Sequence, residues 1–262
     1  MNGSLRSLLP LVAFGAAYLA GAELGHWVSG GAGFATFWPN SGLFLAALLR
    51  APRARWPLFL AAGLAANLLS NWVHGQPWPA SIAFCVANAA EAAMGAALLE
   101  RLLGPAPKLS GLKTTMMLLL VPVVTSVPLA AVVAAVVGSA TFGAPFRVFV
   151  EAWWAADALG VVVATPLVLL LVDVREAPAR ARVAELVVLL LALGGAAAWV
   201  FLSSRGATPT WLLLVMAAIT LRLRSRGVAL AAMTLAVLAG YFTNRGHGLF
   251  ALTGSLLERT AA

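Results

Sequence analysis

The chain has 262 residues, of which 62% are hydrophobic and only 10% charged, with a mean hydropathy of +0.95 and a formal net charge of +8. Water-soluble domains run near a quarter charged, so this composition excludes a soluble fold and describes a polytopic membrane protein. The positive balance is no nucleic-acid footprint, because Lys and Arg stand singly or in threes between apolar segments and form no patch.

Apolar segments follow one another at about 7–27, 33–49, 56–72, 79–103, 112–137, 146–172, 183–202, 208–221 and 228–242. They predict an all-α, polytopic integral-membrane helical bundle of about 8–10 transmembrane helices, some of them shorter than the usual twenty residues. The first segment resembles a signal peptide in its small residues. Its basic region is a lone Arg6, however, and Glu23 and His26 read as part of the fold. With the N-terminus in the cytoplasm, 13 of the 17 basic residues fall inside, leaving Arg147, Arg205, Arg245 and Arg259 outside. That division satisfies the positive-inside rule and predicts a multi-pass protein of the bacterial inner membrane. Trp27, Trp38, Trp72, Trp78, Trp199 and Trp211 then gather toward the outer interface as an aromatic belt, and Trp56 marks the inner one.

Segment 147–173 organises the rest. It carries Asp157 about ten residues in, roughly 15 Å deep at 1.5 Å per residue, which is the bilayer midplane. A carboxylate there costs several kcal/mol unless it faces protein or water, pairs, or keeps its proton. Trp153, Asp157, Gly160 and Ala164 share one helical stripe, with Trp154 beside it. The same arithmetic puts Glu91 near the midplane of the fourth segment with Asn88 one turn earlier, and Asn67 near the middle of the third with Asn71 following. Four polar side chains thus converge on one depth from three helices. Asparagines there serve equally as interhelical hydrogen-bond glue, whereas two acids at that depth point to a pathway or ligand site.

The string FWPNSG at 37–42 places Pro39 at a helix start, Asn40 and Ser41 as capping oxygens and Gly42 for close approach. It reads as a helix start at the outer surface, used for packing or for presenting free amides to an anion. Glu23, His26, His74 and His247 fall on the outer half; they are chemically able to hold a metal, but their separation favours histidines that merely hydrogen-bond, and no metal is assigned. Cys85, the single cysteine, excludes an intramolecular disulfide and has no His or Arg at helical spacing to activate it.

Several strings together carry a family likeness: FWPNSGLFLAALLRAPRARWPLFLAAGLAANLL, ANAAEAAMGAALLERLLG, EAWWAADALGVVVATPLVLL, and ITLRLRSRGVALAAMTLAV with GHGLF. In order and spacing the chain resembles the bacterial membrane-associated sensor domain, the first-named of the MASE families, over nearly its whole length. The resemblance implies an integral-membrane input module, residues 1–262 forming a single sensor domain with no soluble output domain. It further implies a cytoplasmic histidine kinase or diguanylate cyclase as output, fused or associated, in two-component or cyclic di-GMP signalling. One relative of the family belongs to sugar-phosphate sensing. Motif positions carried over are Trp38, Pro39, Ser41, Gly42, Asn67, Asn88, Glu91, Trp154, Asp157, Gly160, Thr165 and Pro166. The family pattern continues into a final helix leading to the output, whereas this sequence ends at Ala262. The expectation is therefore an excised domain or a free-standing member signalling through a partner.

The function expected first is a sensor that binds a small ligand or a membrane-protein partner at Trp38, Asn40, Ser41, Asn67, Asn88, Glu91, Trp153, Trp154 and Asp157, either alone or as a homodimer in the lipid bilayer. The alternative is a small-solute or proton-coupled transporter, against which stand the lack of paired interrupted helices and of an internal repeat. Catalysis is not expected: no GxGD surrounds Asp157 and no serine nucleophile turn is present. No cofactor is indicated.

Overall fold

The structure is a computed structural model that describes residues 3–30, 35–173, 180–203 and 210–248. Lipid offers no partner for a free backbone group, so a spanning chain of this composition closes its hydrogen bonds within helices. Among the described residues every regular element is helical: α1 (Gly3–Ser29), α2 (Pro39–Arg50), α3 (Trp56–Val73), α4 (Trp78–Leu103), α5 (Leu112–Val124), α6 (Ser126–Phe142), α7 (Phe146–Val172), α8 (Arg180–Leu202) and α9 (Thr210–Thr243). Among the described residues seven stretches are long and apolar enough to cross a bilayer, with α5 and α6 making one of them together. The expected helical bundle is the fold. Proline occupies the first or second position of α2, α3 and α4, where its missing N–H costs nothing, and Gly143 in the left-handed region closes α6.

One end of the bundle is basic. There Arg50 pairs with Asp173, Arg53 with Glu100 at 2.6 Å, and Arg222 with Glu185. Trp27, Trp72, Trp78, Trp199 and Trp211 are exposed toward the opposite end, as an aromatic belt requires. Arg175, Arg205, Arg259 and the tail beyond 248 lie outside the described residues.

Three places in the chain break or shorten the helices, the first as the two separate segments predict and the other two against expectation. First, α9 contains a break at Arg224 (φ 54°, ψ −154°). Arg222 reaches Glu185 at the start of α8, while Phe242 stacks on Phe201 near its end, with ring centroids 5.5 Å apart. A straight α9 meeting both points would start about 40 Å from the end of α8, further than the chain from Leu202 to Thr210 can reach, so the chain must reverse at Arg224. The two apolar segments read at 208–221 and 228–242 are the limbs of that hairpin.

Second, the segment read as 112–137 is interrupted. Pro122 lies inside α5, Thr125 leaves the helical region (φ −124°, ψ −77°), and three carbonyls of the break find side-chain donors. Thr125 Oγ1 donates to Val121 O, Ser126 Oγ to Pro122 O, and the Trp154 indole crosses from α7 to Val123 O at 2.9 Å. The sequence reading found no paired interrupted helices; the break at Thr125 is an interruption within the span made by α5 and α6.

Third, α2 does not span. Its 12 residues reach about 18 Å, its last residue is tied to Asp173 at the basic end of α7, and the Trp38 amide donates to Ala156 O (3.2 Å) halfway along α7. The helix therefore begins in the middle of the bundle. FWPNSG is not at the outer surface, and Trp38, only 8% exposed, is not part of the interfacial belt. Composition hides this, since a half-helix followed by an interface reads in hydropathy like a short span. Nine of the 12 residues of α2 are buried, which makes it the innermost helix.

Candidate functional site

The start of α2 reaches that depth because three neighbours have no side chain in its way. A Cβ on Gly160 would lie 1.9 Å from the Trp38 carbonyl oxygen, and one on Gly42 would lie 2.3 Å from Gly160 O. On α1, a Cβ at Gly21 would strike the Asn40 side chain. Small residues that let backbones touch are the usual solution for helix packing in lipid, where apolar burial discriminates little between helix and hydrocarbon. Thr165 Oγ1 completes the junction by donating to Gly42 O (3.3 Å).

Around this junction the predicted polar residues meet. Asp157 of α7 and Glu91 of α4 are each 2% exposed, interact with each other, and both reach Ser41 in the first turn of α2. Asn88 reaches the hydroxyl of Tyr18 on α1, which also lies near both acids. Tyr18 is absent from the sequence-level candidates: a single hydroxyl in an apolar run leaves no periodic signal. The positive end of the α2 dipole thus faces the protein's own carboxyl pair. Its first amides are largely used internally, since Pro39 has none, Trp38 donates to Ala156 O and Ser41 donates to Trp38 O. The carboxyl pair thus lies at the helix start where the sequence reading allows an anionic ligand.

Above the pair, toward the tryptophan-bearing end, opens a cavity of about 170 Å³. Trp38, Asn67, Asn88, Trp153 and Asp157 line it, so five of the sequence-level candidates come together there. Asn40, Ser41 and Glu91 lie outside its lining, in the layer beneath it around the α2 start. Trp154 turns away, being 43% exposed and bonded to Val123 O. His26, Asn71, Gln76, Phe84 and Phe149 also contribute. Phe84 precedes Asn88 by four residues and Asn71 follows Asn67 by four, so helical spacing alone was a usable signal for both.

Nine buried polar atoms in this region lack a well-formed hydrogen bond: both Asn40 side-chain heteroatoms, His26 Nε2, Ser41 Oγ, Asn67 Nδ2, Asn88 Oδ1, Glu91 Oε2, Trp153 Nε1 and Asp157 Oδ2. Each costs about 1–3 kcal/mol when dry. Even with Asp157, Glu91, Ser41 and Trp153 set aside because they interact among themselves, those on His26, Asn40, Asn67 and Asn88 add about 5 kcal/mol or more, a large share of a domain's net stability, so a purely structural role for them is energetically poor. Interhelical glue accounts for part of the set only: Asn71 Nδ2 donates to Cys85 Sγ (3.7 Å) and Asn88 reaches Tyr18.

The histidines do not converge as a group. His26 and His74 stack face to face with centroids 3.7 Å apart, His74 Nε2 lies 3.5 Å from Glu23, and His247 packs instead beside Phe242. Among the described residues no group of three or more His, Cys, Asp or Glu side chains is placed to hold a metal ion.

The MASE1 family model matches residues 10–257 of the chain. No curated protein and no solved structure matches it.

Proposed function

The chain belongs to the MASE1 family of membrane-associated sensor domains, and from that premise we propose that the cavity above Asp157 is where this domain recognises a small ligand. Its place is the membrane and its role signal input rather than chemistry. The observation that carries the ligand reading is the set of buried polar atoms without a well-formed hydrogen bond on the lining of one cavity, on His26, Asn67, Asn88, Trp153 and Asp157, whose missing partners a ligand there supplies.

In this reading the described helices work as one integral-membrane unit, and α2 is the transmitting element. Its first turn contacts the carboxyl pair, and its last residue, Arg50, holds Asp173 at the basic end. A ligand that favours one position of the α2 start shifts the population of that position at the other end, by no more than its differential affinity for the two states. The basic end faces the cytoplasm by the positive-inside rule, where a histidine kinase or diguanylate cyclase module, fused or associated, reads the change.

The test is thermal unfolding of the purified protein in detergent against sugar phosphates, nucleotides, quinones, divalent metals and amines, with Asp157→Asn as control. A ligand at a hundredfold excess over its dissociation constant adds about 2.7 kcal/mol, several degrees in midpoint, and Asp157→Asn removes it. Stabilisation that persists unchanged in Asp157→Asn contradicts this placement of the site.

The break at Thr125 and the mid-bundle start of α2 favour one second reading, a transporter for a small solute, because helices that break or begin beside a mid-membrane acid are a transporter device. Uptake of a bound ligand into liposomes by the isolated domain distinguishes the two, since a sensor binds without flux.

A further inference from the structure

We infer that the cavity takes a small organic cation, a protonated amine or quaternary ammonium, bound over the aromatic wall with Asp157 as its counter-charge. This rests on the reading of the cavity as the ligand site and adds the charge and class of its occupant.

Three observations on the lining lead there. The cavity carries an acid, Asp157, backed by Glu91, and no Lys or Arg among its described residues. The positive end of α2 offsets roughly half a charge, against at most one on two carboxyl groups in contact, which cannot both ionise. The site is left attractive to cations and hostile to phosphate or carboxylate ligands, which would meet Asp157 in a low dielectric with no Lys or Arg and only the half-buried His26 to offset them.

The walls supply the second half of a cation site. Trp38, Phe84, Phe142, Phe149 and Trp153 all line the space, and Phe84 lies 4.8 Å from Trp153 and 5.8 Å from Phe149, centroid to centroid. Ring faces within about 6 Å attract an ammonium group, most strongly when water is excluded. The rings beside Asp157, itself only 2% exposed, come nearest to that condition.

The third observation is scale and polarity. About 170 Å³ falls below the roughly 300 Å³ at which drug-sized sites begin, so the occupant is small. Asn67 and Asn88 hold amide atoms without partners on the same lining, which suits an ammonium compound carrying one further polar group, such as a hydroxyl.

The same chemistry is available from a free amine and from the ammonium headgroup of a membrane lipid, and the experiment separates them. The full chain is placed in nanodiscs of phosphatidylglycerol alone and titrated with choline, ethanolamine and tetramethylammonium. The neutral carbon isostere of choline, with a quaternary carbon in place of nitrogen, and acetate and inorganic phosphate serve as controls. Binding is read by thermal shift and by tryptophan fluorescence. The expected result is saturable binding of at least one ammonium compound. Its neutral isostere binds at least tenfold more weakly, the anions do not bind, and Asp157→Asn and Trp153→Ala each weaken the cation tenfold or more. Loss of added-amine binding when ethanolamine lipid replaces phosphatidylglycerol identifies a headgroup as the occupant; undiminished binding identifies a free amine. Equal binding of choline and its neutral isostere overturns the inference without any variant, as does absence of binding by all the ammonium compounds. A phosphate or a neutral solute that binds and is lost in Asp157→Asn overturns the cation while leaving the ligand-site reading standing.

Discussion

The α2–α7 contact and the α8–α9 contact sit in one bundle and are built on opposite terms. Between α2 and α7 backbones touch through Gly42 and Gly160, and the junction surrounds a carboxyl pair. Between α8 and α9 the buried core is aliphatic, made by Leu193, Ala197, Leu212, Ile219 and Ala231, and a Cβ added at Gly194 or Gly195 meets open space. Every buried polar residue among those described lies in α7 or earlier in the chain. In lipid, aliphatic packing is gained nearly as well against hydrocarbon as against a neighbouring helix. The α8–α9 pair therefore tolerates change, whereas the α2–α7 junction is held by shape and keeps polarity that its stability does not need.

The largest test of this contrast is the glycine pair. Gly160→Ala drives a methyl into the Trp38 carbonyl, a backbone atom that cannot swing aside, and is expected to cost about 3 kcal/mol or more in unfolding measurements. Gly194→Ala is expected to be neutral or slightly stabilising, within about 0.5 kcal/mol. Similar losses at both positions break the comparison. Next in size is Ile219→Ala, which empties a fully buried site between α8 and α9 and should cost about 2 kcal/mol while leaving ligand stabilisation intact. Asn88→Leu sharpens the contrast from the other side: it removes an unsatisfied Oδ1 but also the partner of the Tyr18 hydroxyl, so stability is expected to change by no more than about 1 kcal/mol while ligand binding weakens tenfold. Smallest are the ion pairs at the basic end. Arg222→Ala and Arg50→Ala should each cost no more than about 1 kcal/mol, but only Arg50→Ala, which frees the end of α2, should alter signalling output in a fusion to a reporter cyclase.

The fold class was legible because spans this apolar have few alternatives, and the depth of Asp157, Glu91, Asn67 and Asn88 followed from helical rise alone. What hydropathy could not show is where a helix starts within an apolar stretch. Residues 33–49 read as a crossing, and only the tie from Arg50 to Asp173 together with the Trp38–Ala156 hydrogen bond reveals a half-helix. Adjacent residues on a helix differ by 100°, so Trp153 and Trp154 were equal candidates until packing sent one into the cavity and the other to a carbonyl freed by the break at Thr125. That break had a local signal in Pro122, Thr125, Ser126 and Pro128, which a reading by hydropathy passes over.

The central claim is that the polar centre is kept for recognition and not for stability. Its most direct test is Asp157→Asn in the domain fused to a cytoplasmic diguanylate cyclase, with ligand response and unfolding midpoint measured on the same preparation. The account expects the response to disappear and the midpoint to stay within about 2 °C or rise, since the substitution preserves shape and lightens a buried charge. An unchanged response, or a midpoint that collapses in step with the response, contradicts it.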